Sequence, residues 1–419
     1  MPYMTYFTND ISLCDNMKDN FLGLPKSLVW GFAGVLVFMM GDGIEQTWLS
    51  TYMNSNGIDP ATLFSVYGFT VAISSWLSGV IAESFGVKRT MLAGYLLYLI
   101  GVMGFAFWGV SSMSYPVLLC TYAIKGLGYP LFAYTFMVWI TYRVEKSSLS
   151  SAQGWFWFVF TGGLNVLGAY YGVFAKNSIG VTATLASAAV FATVGALLAL
   201  WINKSESNNL FDQKDAERSG QNRIAELFRG LGIIVREPKV LTGGIVRVIN
   251  TTSQFAFVVF MPLYMAQYGV DDVQWAAIWG SIFIFNIVFN LVFGIVGDKF
   301  GWGRTVTWFG GVGCALTVLL FYYSPQICNN FWFILICGIL WCIMLAGYVP
   351  LSALVPSLVE KDKGAAVSVL NLGAGLAAVT GPLIVKIFQA PLGYGGVAWI
   401  LAGLYVVSAV LTKIISKDM

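Results

Sequence analysis

Two carboxylates interrupt the first apolar run of the chain. In MMGDGIEQTWLS, residues 39–50, Asp42 and Glu45 stand where a greasy helix would otherwise continue. Spaced i, i+3, they share a helical face with Gln46 and Leu49. Two more ionisable residues, Lys125 and Arg247, fall inside apolar runs away from their ends. A charge at mid-membrane costs about 2.5–3.5 kcal/mol on insertion scales, so such residues face a cavity, pair with each other or carry a proton. Two neighbouring acids in a low-dielectric cavity do not both ionise easily, which suits one of them to proton carriage. With no histidine in the chain, a carboxylate is the remaining carrier. Asp42, Glu45 and Lys125 are therefore the proton-coupling candidates. The residues leave open which acid takes the proton, Glu45 being the deeper. The expectation is that both acids border a wet chamber. The bland alternative is a buried ion pair with Lys125 that only fixes packing.

The elements that must hold these residues are membrane helices. Of 419 residues, 58% are hydrophobic and only 10% charged, with a mean hydropathy of +0.75; soluble domains carry about 25% charged residues. A spanning helix needs about 20 apolar residues. Twelve runs qualify, at 28–53, 61–82, 89–111, 114–141, 150–175, 179–202, 241–268, 274–297, 304–324, 330–356, 364–389 and 395–416. Twelve spans put both termini on one face, and 19 of the 23 Lys and Arg residues fall on that side, which reads as cytoplasmic. Only Lys176 and Lys386 lie near the other face. A net charge of +3 without a basic patch gives no case for nucleic acid. The six cysteines form no CxxC pair, and no phosphate-cradling GxxxxGK[ST] appears, so neither a metal nor ATP is implied, and no cofactor is expected. Without a histidine or a nucleophile–base pair, no reaction centre is nominated and the chain does not read as an enzyme.

The chain also repeats itself. GVIAESFGVKRT at 79–90 and GIVGDKFGWGRT at 294–305 match at six positions, each 215 residues apart, and the tripeptide VEK at 144–146 recurs at 359–361 with the same offset. The expected organisation is residues 1–203 as one six-helix half, 204–240 as a linker with an amphipathic surface helix at Ile224–Val235, and 241–419 as the other half. The two glycine-, acid- and arginine-bearing loops resemble the signature of the major facilitator superfamily. That resemblance implies an all-α membrane protein of twelve transmembrane helices in two pseudo-symmetric halves. It also implies a gating role, rather than a substrate role, for Glu83, Arg89, Asp298 and Arg304, with Glu145 and Glu360 of the repeated tripeptides beside them.

A closer resemblance rests on GDGIEQTWLS, IKGLGYPLFAY, GWFWFVF, VRVINTTSQFAFVVFMP and KGAAVSVLNLGAGL. Together these look like the polyol permeases, bacterial importers of pentitols such as ribitol and D-arabinitol. One departure is Lys125, where an arginine is expected before the glycine; the charge survives but the two-pronged planar donor does not. The resemblance implies proton symport of a neutral, many-hydroxyl substrate by a monomer in the inner membrane. Such a substrate calls for amides, carboxylates, hydroxyls and ring faces. The candidates are Glu45, Gln46, Lys125, Tyr129, Gln153, Trp157, Arg247, Asn250, Gln254, Asn286 and Asn371. Trp155 and Trp157, at i and i+2, cannot both face one cavity. Asn165 and Asn290 read equally well as helix glue. Two alternatives stand beside this one: a symporter of a small sugar acid or organic anion clamped by Lys125 and Arg247, and a membrane nutrient sensor that has lost transport.

Overall fold

The fold is a computed structural model that describes residues 20–21, 24–144, 149–203, 232–233, 235–359 and 363–416. Of the expected surface helix at 224–235 only residues 232–233 and 235 are described, and they are helical; the gating candidates Glu145 and Glu360 lie outside the described residues, as do the side chains of Glu83 and Gln153. A two-residue antiparallel ladder, β1 (Asn20–Phe21) with β2 (Leu24–Pro25), precedes the first helix.

Among the described residues all twelve expected spans are helical. Helix α1 runs Val29–Gly43, breaks, and resumes as Leu49–Ser55. Then come α2 (Pro60–Phe85), α3 (Val87–Gly104, extended through a π-helical turn to Ser112) and α4 (Tyr115–Arg143). Helix α5 is Leu149–Thr161, a π-helical turn at Gly162–Leu167, and Gly168–Ile179. Helix α6 is Val181–Leu197 with a π-helical end at Leu198–Ile202. The second half repeats the plan with α7 (Pro238–Ala266), α8 (Asp272–Phe300) and α9 (Trp302–Ile327, with a π-helical stretch at Val306–Gly313). Helix α10 is Phe331–Ala346, resuming after a break as Leu351–Ser357. Helices α11 and α12 are the two parts of Lys363–Ile415, which part at Gly393.

The repeat read in the sequence has a backbone counterpart. Gly86 ends α2 at φ 86° and Gly301 ends α8 at φ 94°, a left-handed turn that glycine takes without a Cβ penalty. The helix starts are set by local chemistry too. Asp59 caps α2, accepting from the backbone N–H of Ala61 and Thr62, with Pro60 at the first helical position. Asp271 and Gln274 form a capping box on α8.

Each half has an aromatic core. Phe38 of α1 stacks on Phe132 of α4 at 4.1 Å in the first half, and Trp341 of α10 packs on Phe257 of α7 at 4.8 Å in the second. The halves meet through small residues. A Cβ on Gly68 of α2 would lie 2.0 Å from the Ala378 carbonyl oxygen of α11, so these helices touch backbone to backbone. With lipid outside and no hydrophobic drive between helices, such close approach is what membrane packing relies on.

Candidate functional site

The break in α1 puts Glu45 into a tight turn. Gln46 N–H donates to the Gly43 carbonyl at 3.2 Å, Leu49 N–H to the Glu45 carbonyl at 3.0 Å, and Trp48 Nε1 to the Ile44 carbonyl at 2.7 Å. Helix α5 lies directly against this turn. A Cβ on Gly43 would come 1.9 Å from the Leu164 oxygen, and one on Gly172 would come 1.8 Å from the Ile44 oxygen. On the other side, Gly101 of α3 lets α4 close in at Lys125, whose backbone nitrogen is 2.3 Å from where a Cβ would be.

These approaches bring Asp42, Glu45 and Lys125 together. The Lys125 ammonium is 3.1 Å from Asp42 Oδ1 and 2.5 Å from Glu45 Oε1. Tyr67 donates its hydroxyl to both Asp42 oxygens at 2.9 Å, and Tyr122 donates to Glu45 Oε1 at 2.6 Å. The rings of Tyr67, Tyr98 and Tyr122 surround the ammonium with centroids 5.4–5.5 Å away. Each of these three buried charges thus has a charged partner and a phenol, as a low-dielectric setting requires. Two acids and one ammonium carry a net charge of −1 when all are ionised; one bound proton brings it to zero.

The expectation of a wet chamber around the two acids is not met in this conformation. Asp42 is 5% exposed, Glu45 4% and Lys125 0%. The three tyrosines fill the space that water would have taken, and the geometry is that of the buried ion-pair alternative. None of Tyr67, Tyr98 and Tyr122 was singled out in the sequence, although Tyr122 sits one turn before Lys125 on α4.

From this cluster an aromatic track leads to the second half. Tyr122 stacks on Tyr67 at 4.5 Å, and Tyr67 on Tyr129 at 6.3 Å. Tyr129 meets Tyr134 edge-on at 6.1 Å, and Tyr134 stacks on Phe160, which touches Trp157. Trp157 offers its face to the Arg247 guanidinium of α7 at 5.9 Å. Trp155 turns away to pack on Phe158, as the i, i+2 argument requires. No carboxylate pairs with Arg247 among the described residues. Farther along the same two helices, Gln254 of α7 donates to Asn165 of α5 at 3.4 Å.

The remaining candidates are dispersed. Asn250 is buried on α7, and Gln46 carries a buried side-chain oxygen with no hydrogen-bond partner among the described residues. Asn286 donates to the Cys342 carbonyl at 2.9 Å and accepts from Asn290, tying α8 to α10 within the second half. Asn371 is exposed on α11. Of the gating set, Arg89 and Arg304 are exposed, and Asp298 accepts from Trp302 Nε1 at 2.9 Å instead of pairing with an arginine among the described residues.

Two ion pairs cross between the halves on the face opposite the termini. Asp59, at the cap of α2, pairs with Lys386 near the end of α11. Asp272, in the first turn of α8, pairs with Lys176 in the last turn of α5 and also accepts from Thr51. Tyr170 of α5 adds hydrogen bonds to Ser281 and the Ala277 carbonyl of α8. Partial burial works against the Asp59 carboxylate, but hydrogen bonds from Lys386 and Thr62 outweigh it and hold its pKa below the ordinary value. In the sequence Lys176 and Lys386 mark only sidedness.

Relatives carry the same fold. The chain matches the Major Facilitator Superfamily over residues 31–326 and 244–417. It is 47% identical to the alpha-ketoglutarate permease of Bacillus subtilis (95% of this chain, 91% of the relative) and 37% identical to the ribitol transporter of Klebsiella pneumoniae (94% and 93%). Among solved structures, a D-xylose–proton symporter superposes with a TM-score of 0.68 at 16% identity, over 92% of this chain and 96% of that one. With twelve helices in two matching halves and this identity along nearly its whole length, the chain belongs to the major facilitator superfamily and, within it, to the polyol permease family.

Proposed function

We propose that this transporter imports a linear sugar alcohol, a pentitol such as ribitol or D-arabinitol, together with a proton. It does so as a monomer in a bacterial cytoplasmic membrane, with both termini inside. Residues 1–203 and 241–419 rock about the 204–240 linker, and the ion-paired face is the outer mouth, shut in this conformation.

The observation that carries the reading is the sealed cluster of Asp42, Glu45 and Lys125, two acids sharing one ammonium next to a track of tyrosine hydroxyls and ring faces. A proton taken up by one acid loosens its hold on Lys125, and the charge at the seam changes by one unit. Tyr129, Tyr134 and Trp157 supply hydroxyls and apolar faces for a carbon chain, and Gln254 supplies an amide. Asp42, Glu45, Lys125 and Arg247 sum to zero; an uncharged cargo leaves zero, or +1 with its proton, and a dianion leaves −2, or −1 with its proton, so with the proton counted the sum does not separate the two.

One observation favours a second reading. Arg247 has no carboxylate partner among the described residues, and its planar fork suits a carboxylate. A monoanionic sugar acid plus a proton leaves the four-residue sum at zero. The relative named as an alpha-ketoglutarate permease adds weight to an acidic cargo.

Purified protein in liposomes separates these readings. Uptake of labelled pentitols should rise with an inward proton gradient and be competed by pentitols but not by sugar acids or 2-oxoglutarate. Competition by the acids alone would establish the anion reading. Absence of any uptake would leave the sensor.

A further inference from the structure

We propose that Gln46, Thr47 and Ser50, on the broken stretch of α1, hold buried water and form with it a proton relay from the ion-paired face of the molecule to Glu45. The inference rests on the proton-coupled reading above and deepens it, since a carboxylate enclosed by tyrosines needs a route by which its proton arrives.

A hydroxyl inside a helix is ordinarily satisfied by turning back onto a carbonyl one turn earlier. The other buried serines and threonines among the described residues all hold a hydrogen bond, and most do so in this way, as Ser75 does to Val71 and Thr184 to Gly180. Thr47 and Ser50 are the exceptions. They are 0% and 1% exposed, and neither hydroxyl has a partner among the described residues. The Gln46 side-chain oxygen beside them is buried and unpartnered too. The break adds backbone groups to this set. The N–H groups of Ser50 and Thr51 make no bond to the Gln46 and Thr47 carbonyls, as they would in an unbroken helix.

So many bare polar groups in one turn are costly unless something meets them. Thr47 and Ser50 stand i, i+3, with Cβ atoms about 5–6 Å apart, a gap that one water bridges. The set also selects its occupant. The Gln46 oxygen and the two carbonyls accept, the backbone N–H groups donate, and the two hydroxyls do both. A bare cation uses only the oxygens, whereas water uses donors and acceptors alike.

Both ends of the line are anchored. At the outer end Thr51, one turn beyond Thr47, donates to Asp272, whose side chain is 26% exposed and so meets water. The Lys176 ammonium of the same pair lies over the Trp48 ring at 5.6 Å, next to the break. At the inner end Lys125 and Tyr122 both donate to Glu45 Oε1, leaving Oε2 to take the proton. From Thr51 to Glu45 the helix rises about 9 Å, a span that a few waters and hydroxyls cover. Each member of the line accepts one proton and passes one on. A proton leaving the outside water ends as an O–H on Glu45, and every hydroxyl and water between is restored.

Liposomes enclosing a pH-sensitive dye give two rates for the test: proton entry coupled to influx of the transported cargo, and exchange of that cargo with no gradient. Thr47→Val combined with Ser50→Ala removes both hydroxyls at nearly constant shape. The double variant should lose about tenfold or more in proton-coupled influx while exchange, which moves no net proton, stays unchanged. Its coupled influx should also slow more in heavy water than that of the unaltered protein, because proton arrival has become limiting. Thr47→Ser combined with Ser50→Thr keeps both hydroxyls and should keep both rates. Melting in detergent identifies a folding defect, in which case the single variants Thr47→Val and Ser50→Ala are read in the same way. Unchanged coupled influx in the double variant overturns the relay. Coupled influx and exchange falling in step also overturn it, because the hydroxyls then serve packing or cargo. A sodium gradient that replaces the proton gradient overturns it in favour of a cation site. If the unaltered protein moves its cargo with no proton entry, the coupling reading itself fails and the relay falls with it; if coupling is present, the variants judge the relay alone.

Discussion

The two ion pairs across the outer mouth make a quantitative prediction about conformational balance. Converting Asp59 and Asp272 together to asparagine removes one charge from each pair while keeping shape. The Lys386 and Asp59 side chains are 49% and 36% exposed, so that pair stabilises the closed mouth by about 0.3–0.5 kcal/mol. Lys176 and Asp272 are 21% and 26% exposed, which places their pair nearer to about 1 kcal/mol. The pairs share no residue and lie on different helix seams, so their contributions should add. The total of about 1.3–1.5 kcal/mol corresponds to an outward-open population raised about 9- to 13-fold. Spin labels at Asn56 and Gln267, exposed positions on that face in opposite halves, report the opening as a longer inter-label distance in pulsed dipolar spectra. The double variant should enlarge the long-distance fraction by that factor, and high salt should mimic it in the unaltered protein. The pH dependence has a definite sign. Because the Asp59 pKa is held below its ordinary value of about 3.9, its share of the closure is fully present above that pH. It is lost only as the pH falls through the lowered value. An unchanged distance distribution in the double variant would refute the reasoning.

Three further expectations follow from the site and its supports. Glu45→Gln should abolish uphill accumulation driven by a proton gradient while leaving substrate exchange in place, and unchanged pH-dependent uptake would remove Glu45 as the carrier. Gly172→Ala forces a methyl into the Ile44 carbonyl, so thermal unfolding in detergent should register a loss of about 1–3 kcal/mol; an unaltered transition would show the α1–α5 seam to be loose. Asn286→Ala breaks the bond to the Cys342 carbonyl and should lower stability by about 1 kcal/mol with the pentitol KM unmoved, whereas a tenfold rise in KM (about 1.4 kcal/mol) would make Asn286 a substrate contact.

The helices were legible because length and hydropathy act locally: an apolar run of the right length has little choice in a bilayer. The repeat was legible for a related reason, since the same left-handed turn at Gly86 and Gly301 demands the same residue. The pairing of Asp42 and Glu45 with Lys125 could be anticipated from the cost of isolated charge. What encloses them could not. The ring of Tyr67, Tyr98 and Tyr122 depends on how α2, α3 and α4 converge, and that is set by Gly101 and Gly126 meeting neighbouring backbones. The breaks in α1 and α10 were missed because hydropathy does not register a change in hydrogen-bond pattern. The outer ion pairs were missed because their partners lie 327 and 96 residues apart, and a single sequence offers no signal linking them.

The arrangement of those outer charges has an architectural consequence. Asp59 and Asp272 occupy the start of the second helix of their respective halves, and Lys386 and Lys176 the end of the fifth. Each half therefore contributes one acid and one base, and each base meets the acid of the other half. That is the contact pattern of an isologous two-fold dimer. A six-helix ancestor bearing a single aspartate and a single lysine at these places would, by docking onto a duplicate of itself, fasten its mouth at both sides at once with no additional residue.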